Sequence, residues 1–346
     1  MTFRPAPRVL ATATATVLAM TGVTACSNDD SQAGADPQRV DVVAGFYPLQ
    51  FVAERIGGDA VAVTNLARPG ADAHDLELTP SQIGQISEAE LVVFLDGFQP
   101  AVDEAVEQTA KDHAFDVATV EPLLDAAAGG HDHEHGDEHG DEHGDEHDHE
   151  GEDEHAEEEE HPEEEEHADE PAEGAKDPHV WLDPTRLATI GDKLAERLGT
   201  VDPDRAGEYT ERATTLRTEL ETLDTEFTEG LKTCQRREIV VSHAAFGYLA
   251  EKYELEQIGI TGLTPEDEPS PQRLAEVTEE AREHQATTIF FETLVSPKVA
   301  ETIAREVGAQ TAVLDPLEGL SAEDDGDYLS VMRANLEALR TALSCS

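Results

Sequence analysis

The stretch PDRAGEYTERATTLRTELETLDTEFTEGLK, residues 203–232, decides how the chain is organised. Its large apolar residues recur at spacings of four, three and four: Leu216, Leu220, Leu223 and Phe227. This is the period of an α-helix that buries one face. Pro203 stands in the first turn, where its missing N–H costs no hydrogen bond. We therefore predict one long, rigid helix over 203–232, about 45 Å in length, which joins the parts of the chain on either side.

Short apolar runs alternate with helical patterns on both sides of this helix. Before it, we predict strands at 40–44, 60–65 and 91–95. The helical patterns between and after them cover 48–56, a segment that begins at 79–80, 101–111 and a segment that ends at 198. After the joining helix, we predict strands at 239–241, 255–260, 288–291 and 310–314, and helices at 244–253, 271–284, 297–307 and 327–343. Such alternation is typical of a parallel sheet with helices on both faces. We predict an α/β fold with an N-terminal lobe, 40–198, and a C-terminal lobe, 233–346.

One low-complexity stretch carries much of the acidic charge. Of the 77 acidic and 15 His residues of the 346-residue chain, 129–176 holds 24 acids and ten His, with Lys176 as its single basic residue. Alternating His and acid with almost no apolar residue cannot form a core, so we predict a disordered insert in the N-terminal lobe. A solvated linker would explain the acids but not the histidines. We interpret these as a weak metal collector: His131, His133, His135, His139, His143, His147, His149, His155, His161 and His167.

The N-terminus has the pattern of a bacterial lipoprotein. Two arginines precede an apolar run over 9–20, which is too short to span a bilayer but suits the core of a secretion signal. Small residues stand directly before Cys26, as in a lipobox. We predict a signal peptide over 1–25, lipidation of Cys26 and a flexible tether over 26–39; a plain signal peptide with a chance cysteine is the alternative. The expected location is extracytoplasmic, with the lipid as the only attachment to the cell membrane.

Charge and cysteine content restrict the partners further. The formal net charge is −54, which excludes nucleic acid because phosphate binding needs clustered Lys and Arg. Cys234 and Cys345 would lie in an oxidising compartment, where such a pair usually forms a disulfide. Two unpaired thiols are the alternative. We expect the chain to act as a monomer.

Polar residues just after predicted strands are the candidates for a site, because ligands of open parallel sheets bind beyond the carboxyl ends of the strands. His74 and His243 each follow a strand, and His179 comes directly after the insert. Asp315 and Glu318 follow the last strand. A single loop histidine is usually a surface residue, but three that line one predicted cleft, in a chain with a His-rich insert, gain weight together as candidates for one site.

Several strings of the sequence resemble those of a known family. They are Gly45-Phe46-Tyr47-Pro48, Pro69-Gly70 through His74 with Pro80-Ser81, Asp177-Pro178-His179-Val180-Trp181-Leu182-Asp183-Pro184, Ser242-His243-Ala244-Ala245-Phe246-Gly247-Tyr248-Leu249 and Leu314-Asp315-Pro316-Leu317. From about residue 40 to 343, the chain resembles the solute-binding lipoproteins of ABC importers for zinc and manganese, in particular the high-affinity zinc-uptake branch. The resemblance implies that His74, His179 and His243 bind one metal ion between the lobes.

The fourth ligand varies within that family. Some members place a carboxylate directly before the first histidine, but Ala73 stands there in this chain. Others use a carboxylate after the last strand of the second lobe. We favour Glu318, which is followed by a glycine, over Asp315, which precedes Pro316 and is typical of a residue that stabilises a turn. Water is the remaining alternative.

The ligand types indicate which metal binds. Three neutral imidazoles and one oxygen suit tetrahedral Zn²⁺, whereas Mn²⁺ prefers more oxygen ligands. For the manganese branch of that family, the resemblance implies a site of two histidines and two carboxylates, with Glu at the position of His243. The histidine at this position therefore favours zinc. Cu²⁺ and Ni²⁺ also bind imidazole, so the ligand types do not exclude these two metals. Glu292 ends a predicted strand, and we interpret it as an acceptor that orients a ligand histidine; an ordinary strand-end carboxylate is the alternative.

The expected function is binding rather than catalysis. The chain would capture Zn²⁺ as a transported substrate and deliver it to an ABC permease and its ATPase. A surface metal buffer or adhesin, a manganese-binding homologue and a zinc hydrolase are the alternatives. Three protein ligands with an open position would suit a hydrolase, but the sequence has no His-Glu-x-x-His pair. The rigid joining helix predicts that metal release involves local loop movement around His179 and His243 rather than a large hinge closure.

Overall fold

A computed structural model describes residues 39–126, 175–320 and 326–346. The predicted signal peptide, Cys26, the tether up to residue 38 and the ten histidines of the insert lie outside the described residues. The described residues all belong to one compact unit, Pro37–Ser346. No helix in these ranges combines the length and the apolar character that a membrane span needs.

Two four-stranded sheets form the framework, one on each side of the long helix. The first contains β1 (Val40–Ala44), β2 (Val61–Asn65), β3 (Leu91–Phe94) and β4 (Ala114–Asp116), in the order β2-β1-β3-β4. The second contains β5 (Glu238–His243), β6 (Glu256–Thr261), β7 (Thr288–Phe291) and β8 (Gln310–Val313), in the equivalent order β6-β5-β7-β8. All pairings are parallel, which confirms the predicted α/β fold. Strand β4 is not among the predicted elements, because its three residues are too short for an apolar run.

Helices connect the strands in each lobe. The first lobe has α1 (Tyr47–Gly57), α2 (Pro80–Glu88), α3 (Pro100–Thr109) and α4 (Pro184–Val201). The joining helix is α5 (Ala206–Leu231), and the second lobe has α6 (Gly247–Tyr253), α7 (Pro271–Glu283), α8 (Lys298–Val307) and α9 (Tyr328–Ala342). Helix α6 begins three residues later than predicted, because the backbone turns first, with the Ala245 N–H donating to the His243 carbonyl at 2.9 Å.

The joining helix is part of the core rather than an exposed rod. A 3₁₀ turn over Pro203–Arg205 precedes it, so the α-helix itself has 26 residues and a length of about 39 Å. It packs against α1, α4 and α9. Its buried face carries Tyr209, Ala213, Leu216, Leu220, Leu223, Phe227 and Leu231.

Alternate residues of the central strands face different hydrophobic layers. In β5, Val240 faces an outer layer under α7 and α8, whereas Ile239 and Val241 face a layer shared by both lobes. The first lobe has the same arrangement, with its outer layer under α2 and α3. Side chains two residues apart lie on the same face of a strand. His243 therefore points to the side of the sheet where the two lobes meet.

A disulfide joins Cys234, just after α5, to Cys345 beyond the end of α9, as predicted. The two cysteines are 111 residues apart in sequence. The bond therefore ties the last helix of the second lobe to the end of the joining helix.

Candidate metal centre

Four predicted ligands, His74, His179, His243 and Glu318, come together between the two sheets. Their candidate donor atoms all lie within 4.8 Å of one another. The three imidazole Nε2 atoms lie 3.2, 3.1 and 3.1 Å from a single oxygen, Glu318 Oε1. These separations are close to the donor–donor edge of about 3.3 Å in a tetrahedron whose metal–ligand bonds are about 2.0–2.1 Å. The arrangement can thus hold one small cation with four protein ligands.

His74 lies in the loop between β2 and α2 and is held from within the first lobe. Its backbone N–H donates to Asp72 Oδ1 at 2.7 Å, and its ring packs edge-on against Phe98, with 4.6 Å between centroids. Gln99 Nε2 donates to the carbonyl of the preceding residue, Ala73, at 2.9 Å. The His74 side chain is 9% exposed, whereas the other two imidazoles are fully buried.

His179 is oriented by Asp177. One oxygen, Asp177 Oδ1, accepts from the His179 backbone N–H at 2.9 Å and from its Nδ1 at 2.8 Å. An ionised carboxylate only accepts, so Nδ1 carries the hydrogen and Nε2 is free to bind a metal. A Cβ at position 247 would lie 2.4 Å from Asp177 Oδ2, so Gly247 is needed to make room for the carboxylate. Asp177 belongs to the sequence motif around His179, but no role is predicted for it from sequence.

His243 is the last residue of β5, not a residue of the following loop as predicted. Glu292 Oε1 accepts from His243 Nδ1 at 2.8 Å and from Ser242 Oγ at 2.6 Å. Glu292 therefore lies against the ring of a candidate ligand, in the place expected for a residue that orients it. Because Glu292 engages Nδ1, His243 Nε2 faces Glu318 Oε1, and Asp177 has the same effect on His179.

The two candidate carboxylates, of which the sequence favours Glu318, lie in different surroundings. Glu318 is 3% exposed and reaches all three histidines. In contrast, Asp315 Oδ1 accepts from the Leu317 N–H at 2.8 Å, and Oδ2 accepts from Thr293 Oγ1 at 2.7 Å. Both Asp315 oxygens thus stabilise the turn before Glu318. Leu317 adopts a left-handed conformation with φ of 62°, a local cost of about 1–3 kcal/mol that no sequence pattern indicates.

Burial and charge act in opposite directions on the titration of these groups. Burial lowers the pKa of His243, but the carboxylates of Glu318 and Glu292 outweigh it and raise the pKa to about 10. Burial also disfavours protonation of His179, yet hydrogen bonds to Asp177 and Glu318 raise its pKa above the ordinary value. Burial raises the pKa of Glu318, but the three histidines bring it well below its usual range. Without a bound cation, the buried imidazoles therefore hold protons that a metal must displace.

The described residues on either side of 127–174 meet beside the site. Asp125 and Lys176 form an antiparallel bridge, and the Asp177 N–H donates to the Leu124 carbonyl at 3.0 Å. Tyr248 OH accepts from the Leu124 N–H and donates to the Asp177 carbonyl, both at 2.8 Å. Lys176, assigned to the insert from sequence, is thus paired in this stem. The stem leads directly into the residue that orients His179.

The fold and the site define a two-lobed α/β protein in which, among the described residues, one group of side chains that could hold a metal ion lies between the lobes. The family model "Zinc-uptake complex component A periplasmic" matches residues 42–342. The chain therefore belongs to this family, which confirms the resemblance drawn from its motifs.

Individual relatives agree with this assignment. The high-affinity zinc uptake system protein ZnuA of Bacillus subtilis (strain 168) is 34% identical over 327 residues, 93% of both chains. The zinc-binding protein AdcA of Streptococcus pyogenes is 33% identical over 306 residues, which are 87% of this chain but only 56% of AdcA. The chain thus spans just over half the length of that relative. The crystal structure of the Zn(II)-bound ZnuA-like domain of Streptococcus pneumoniae AdcA superposes with a TM-score of 0.67 at 28% identity, over 88% of this chain and 99% of that one.

Proposed function

We propose that this protein is the extracytoplasmic solute-binding component of an ABC importer, and that it captures Zn²⁺ and delivers it to a permease driven by an ATPase. The observation that carries the proposal is the convergence of three imidazole Nε2 atoms on one buried carboxylate oxygen. Membership of the zinc-uptake family supports the transport role. In this proposal zinc is the transported substrate, and the chain acts as a monomer.

The donor set favours zinc over manganese. Three neutral nitrogens and one oxygen suit tetrahedral Zn²⁺, whereas Mn²⁺ prefers a richer oxygen set and is the weakest binder of the divalent series. The same donor set argues against a zinc hydrolase. A hydrolase needs an open coordination position for water or substrate, and here the buried Glu318 carboxylate supplies the fourth donor.

Each part of the chain has a distinct proposed role. His74, His179, His243 and Glu318 are the ligands, and Asp177 and Glu292 orient two of them. Cys26 would carry the lipid anchor, and the histidines of the insert would collect metal weakly beside the site. This last role is supported by the stem, which ends two residues before His179.

Zinc titration in competition with a chelator of known affinity tests the ligand assignment. Replacing His243 by Ala should weaken binding by more than the roughly 10–100-fold typical of losing a partner that only orients a ligand. Glu318→Ala should cost less, because water can take the fourth position. His113→Ala is the matched control, because its Nε2 lies 3.2 Å from the Ile86 carbonyl, far from the cluster in the fold. Tight binding that persists in His243→Ala, in protein lacking the insert, would show that the site is wrong.

Uptake measurements separate an importer component from a surface buffer or adhesin. In a strain lacking the gene, the wild-type protein should restore accumulation of labelled zinc from chelated medium, and His243→Ala should not. A buffer would hold zinc at the surface without restoring accumulation inside the cell. That result would contradict the transport role while leaving zinc binding intact.

A further inference from the structure

Asn335 is a buried polar residue on α9 whose side chain is fully engaged by the segment before Glu318. It is 3% exposed. Its Oδ1 accepts from the Asp315 N–H at 2.9 Å, and its Nδ2 donates to the Asp315 carbonyl at 2.7 Å. A buried amide is costly unless both ends are paired. Here both are paired with the backbone of a single residue, so Asn335 holds that residue in one orientation.

This pair continues the sheet beyond its last strand. Strand β8 ends at Val313, and the Leu314 N–H still donates to the Phe291 carbonyl at 3.0 Å. The N–H and carbonyl of Asp315 pair instead with Asn335, next to the edge strand β8. The Asn335 amide, which offers one donor and one acceptor like a peptide unit, takes the place of a neighbouring strand.

The next residues transmit this restraint to the carboxylate. The Pro316 carbonyl accepts from Trp181 Nε1 at 2.7 Å, and Leu317 follows in its left-handed conformation, fully buried. Glu318 comes next. A left-handed leucine persists only where its surroundings hold it, so the direction of Glu318 depends on what anchors the backbone on either side of the turn.

We propose that Asn335 is a positioning residue for the fourth ligand of the metal site, acting through the Asp315 backbone. The proposal rests on the assignment of Glu318 as a ligand. Without the Asn335 amide, the Asp315–Leu317 turn relaxes and the Glu318 carboxylate no longer stands within reach of all three imidazoles. The hydrogen bonds of the Asn335 side chain go to the Asp315 backbone and not to a candidate ligand side chain.

A double-mutant cycle with Zn²⁺ tests this directly. Asn335→Leu keeps the volume and removes both hydrogen bonds; Asn335→Ser takes its place if the leucine variant does not fold. In the wild-type background the loss should weaken zinc binding about 10–100-fold. In a Glu318→Gln background, where the carboxylate is already gone, the same change should weaken binding by less than about threefold, because Asn335 affects zinc binding only through the Glu318 carboxylate. An equal loss in both backgrounds would overturn the proposal.

Visible absorption of bound Co²⁺ gives a readout that general destabilisation does not change. Four-coordinate Co²⁺ absorbs strongly in the visible; the bands shift when water replaces the carboxylate and weaken when water raises the coordination number above four. Asn335→Leu should give the altered spectrum of Glu318→Gln, whereas Leu339→Ala, a buried change one turn along α9, should keep the wild-type spectrum. A wild-type spectrum in Asn335→Leu overturns the proposal. If Glu318→Gln itself binds zinc as tightly as wild type, then Glu318 is not a ligand. This result would contradict the ligand assignment, whereas the results above test only the role of Asn335.

Discussion

Zinc affinity should rise steeply between pH 7 and pH 9, a range in which ordinary histidines have already lost their protons. The pKa of His243 is raised to about 10, and that of His179 is raised in the same direction. Zinc binds only the neutral imidazole. At a pH below the pKa of such a histidine, zinc must displace one proton to bind it. For each proton displaced, the apparent zinc affinity rises tenfold with each unit of pH.

The size of the effect separates this site from three independent histidines. With one proton displaced, affinity rises about 100-fold over the two pH units, and it rises further if His179 is also protonated. Three free imidazoles with pKa values of about 6.5 would change affinity only about twofold over the same range. The cause is the charge of the site, since three buried carboxylates, Asp177, Glu292 and Glu318, surround the histidines. Exchanging two protons for one Zn²⁺ leaves that buried charge unchanged.

Calorimetric titration in buffers of different ionisation enthalpy measures the protons released. We expect between one and two protons per zinc at pH 7.5 in protein lacking the insert, whose own histidines would otherwise contribute.

The raised pKa of His243 also makes the stability of the zinc-free protein depend on pH. The pKa of His243 is higher in the folded than in the unfolded chain, so its stabilising contribution is complete below about pH 6.5 and is lost as pH rises toward 10. The zinc-dependent increase in Tm should therefore widen over this window. A flat affinity from pH 7 to 9 with no proton release would refute the reasoning.

Three further changes have defined outcomes. Asp177→Asn removes the charge that orients His179 and should weaken zinc binding about 10–100-fold in chelator competition; unchanged affinity would mean that the hydrogen bond has no role. Replacing Cys234 and Cys345 together by Ser should lower the free energy of unfolding by up to about 5 kcal/mol in denaturant melts, from the chain entropy of a 111-residue separation, and should leave zinc stoichiometry unchanged. Deleting 129–174, which keeps the stem at Lys176, should leave one tight zinc in calorimetry, remove several weak ones, and slow uptake only when zinc is scarce. Loss of the tight zinc would mean that the insert supplies ligands.

The fold was predictable because its signals are local. The apolar runs that become β1, β3, β5 and β7 need no knowledge of their partners, since parallel strands covered on both faces are apolar throughout. The period of the joining helix is likewise visible in its own residues. In contrast, β4 has only three residues at the sheet edge, and pairing with β3 rather than composition makes it a strand.

From sequence, the three candidate histidines and the orienting carboxylate Glu292 could be predicted, whereas Asp177 and Asn335 could not. His74 and His179 lie on loops and His243 ends a strand, all close to strand or insert boundaries that the sequence marks. The choice between Asp315 and Glu318 depends on a turn through a left-handed Leu317, a conformation that leucine rarely adopts. The role of Asp177 depends on its distance from an imidazole two residues away, and the role of Asn335 on the packing of α9. These are tertiary facts that a single sequence does not encode locally.

Buried hydrogen bonds near the candidate metal centre join the two lobes. Trp181 donates from Nε1 to the Pro316 carbonyl at 2.7 Å, and its own carbonyl accepts from Tyr328 OH at 2.6 Å. Tyr248 OH donates to the Asp177 carbonyl at 2.8 Å. A hinge opening would exchange each of these hydrogen bonds for one to water, at about 0.5–1.5 kcal/mol each, and would also divide a hydrophobic layer that is continuous across both lobes. Moving a single ligand loop breaks fewer of these contacts. Local rearrangement of the loops around the site is therefore the less costly route for zinc to enter and leave.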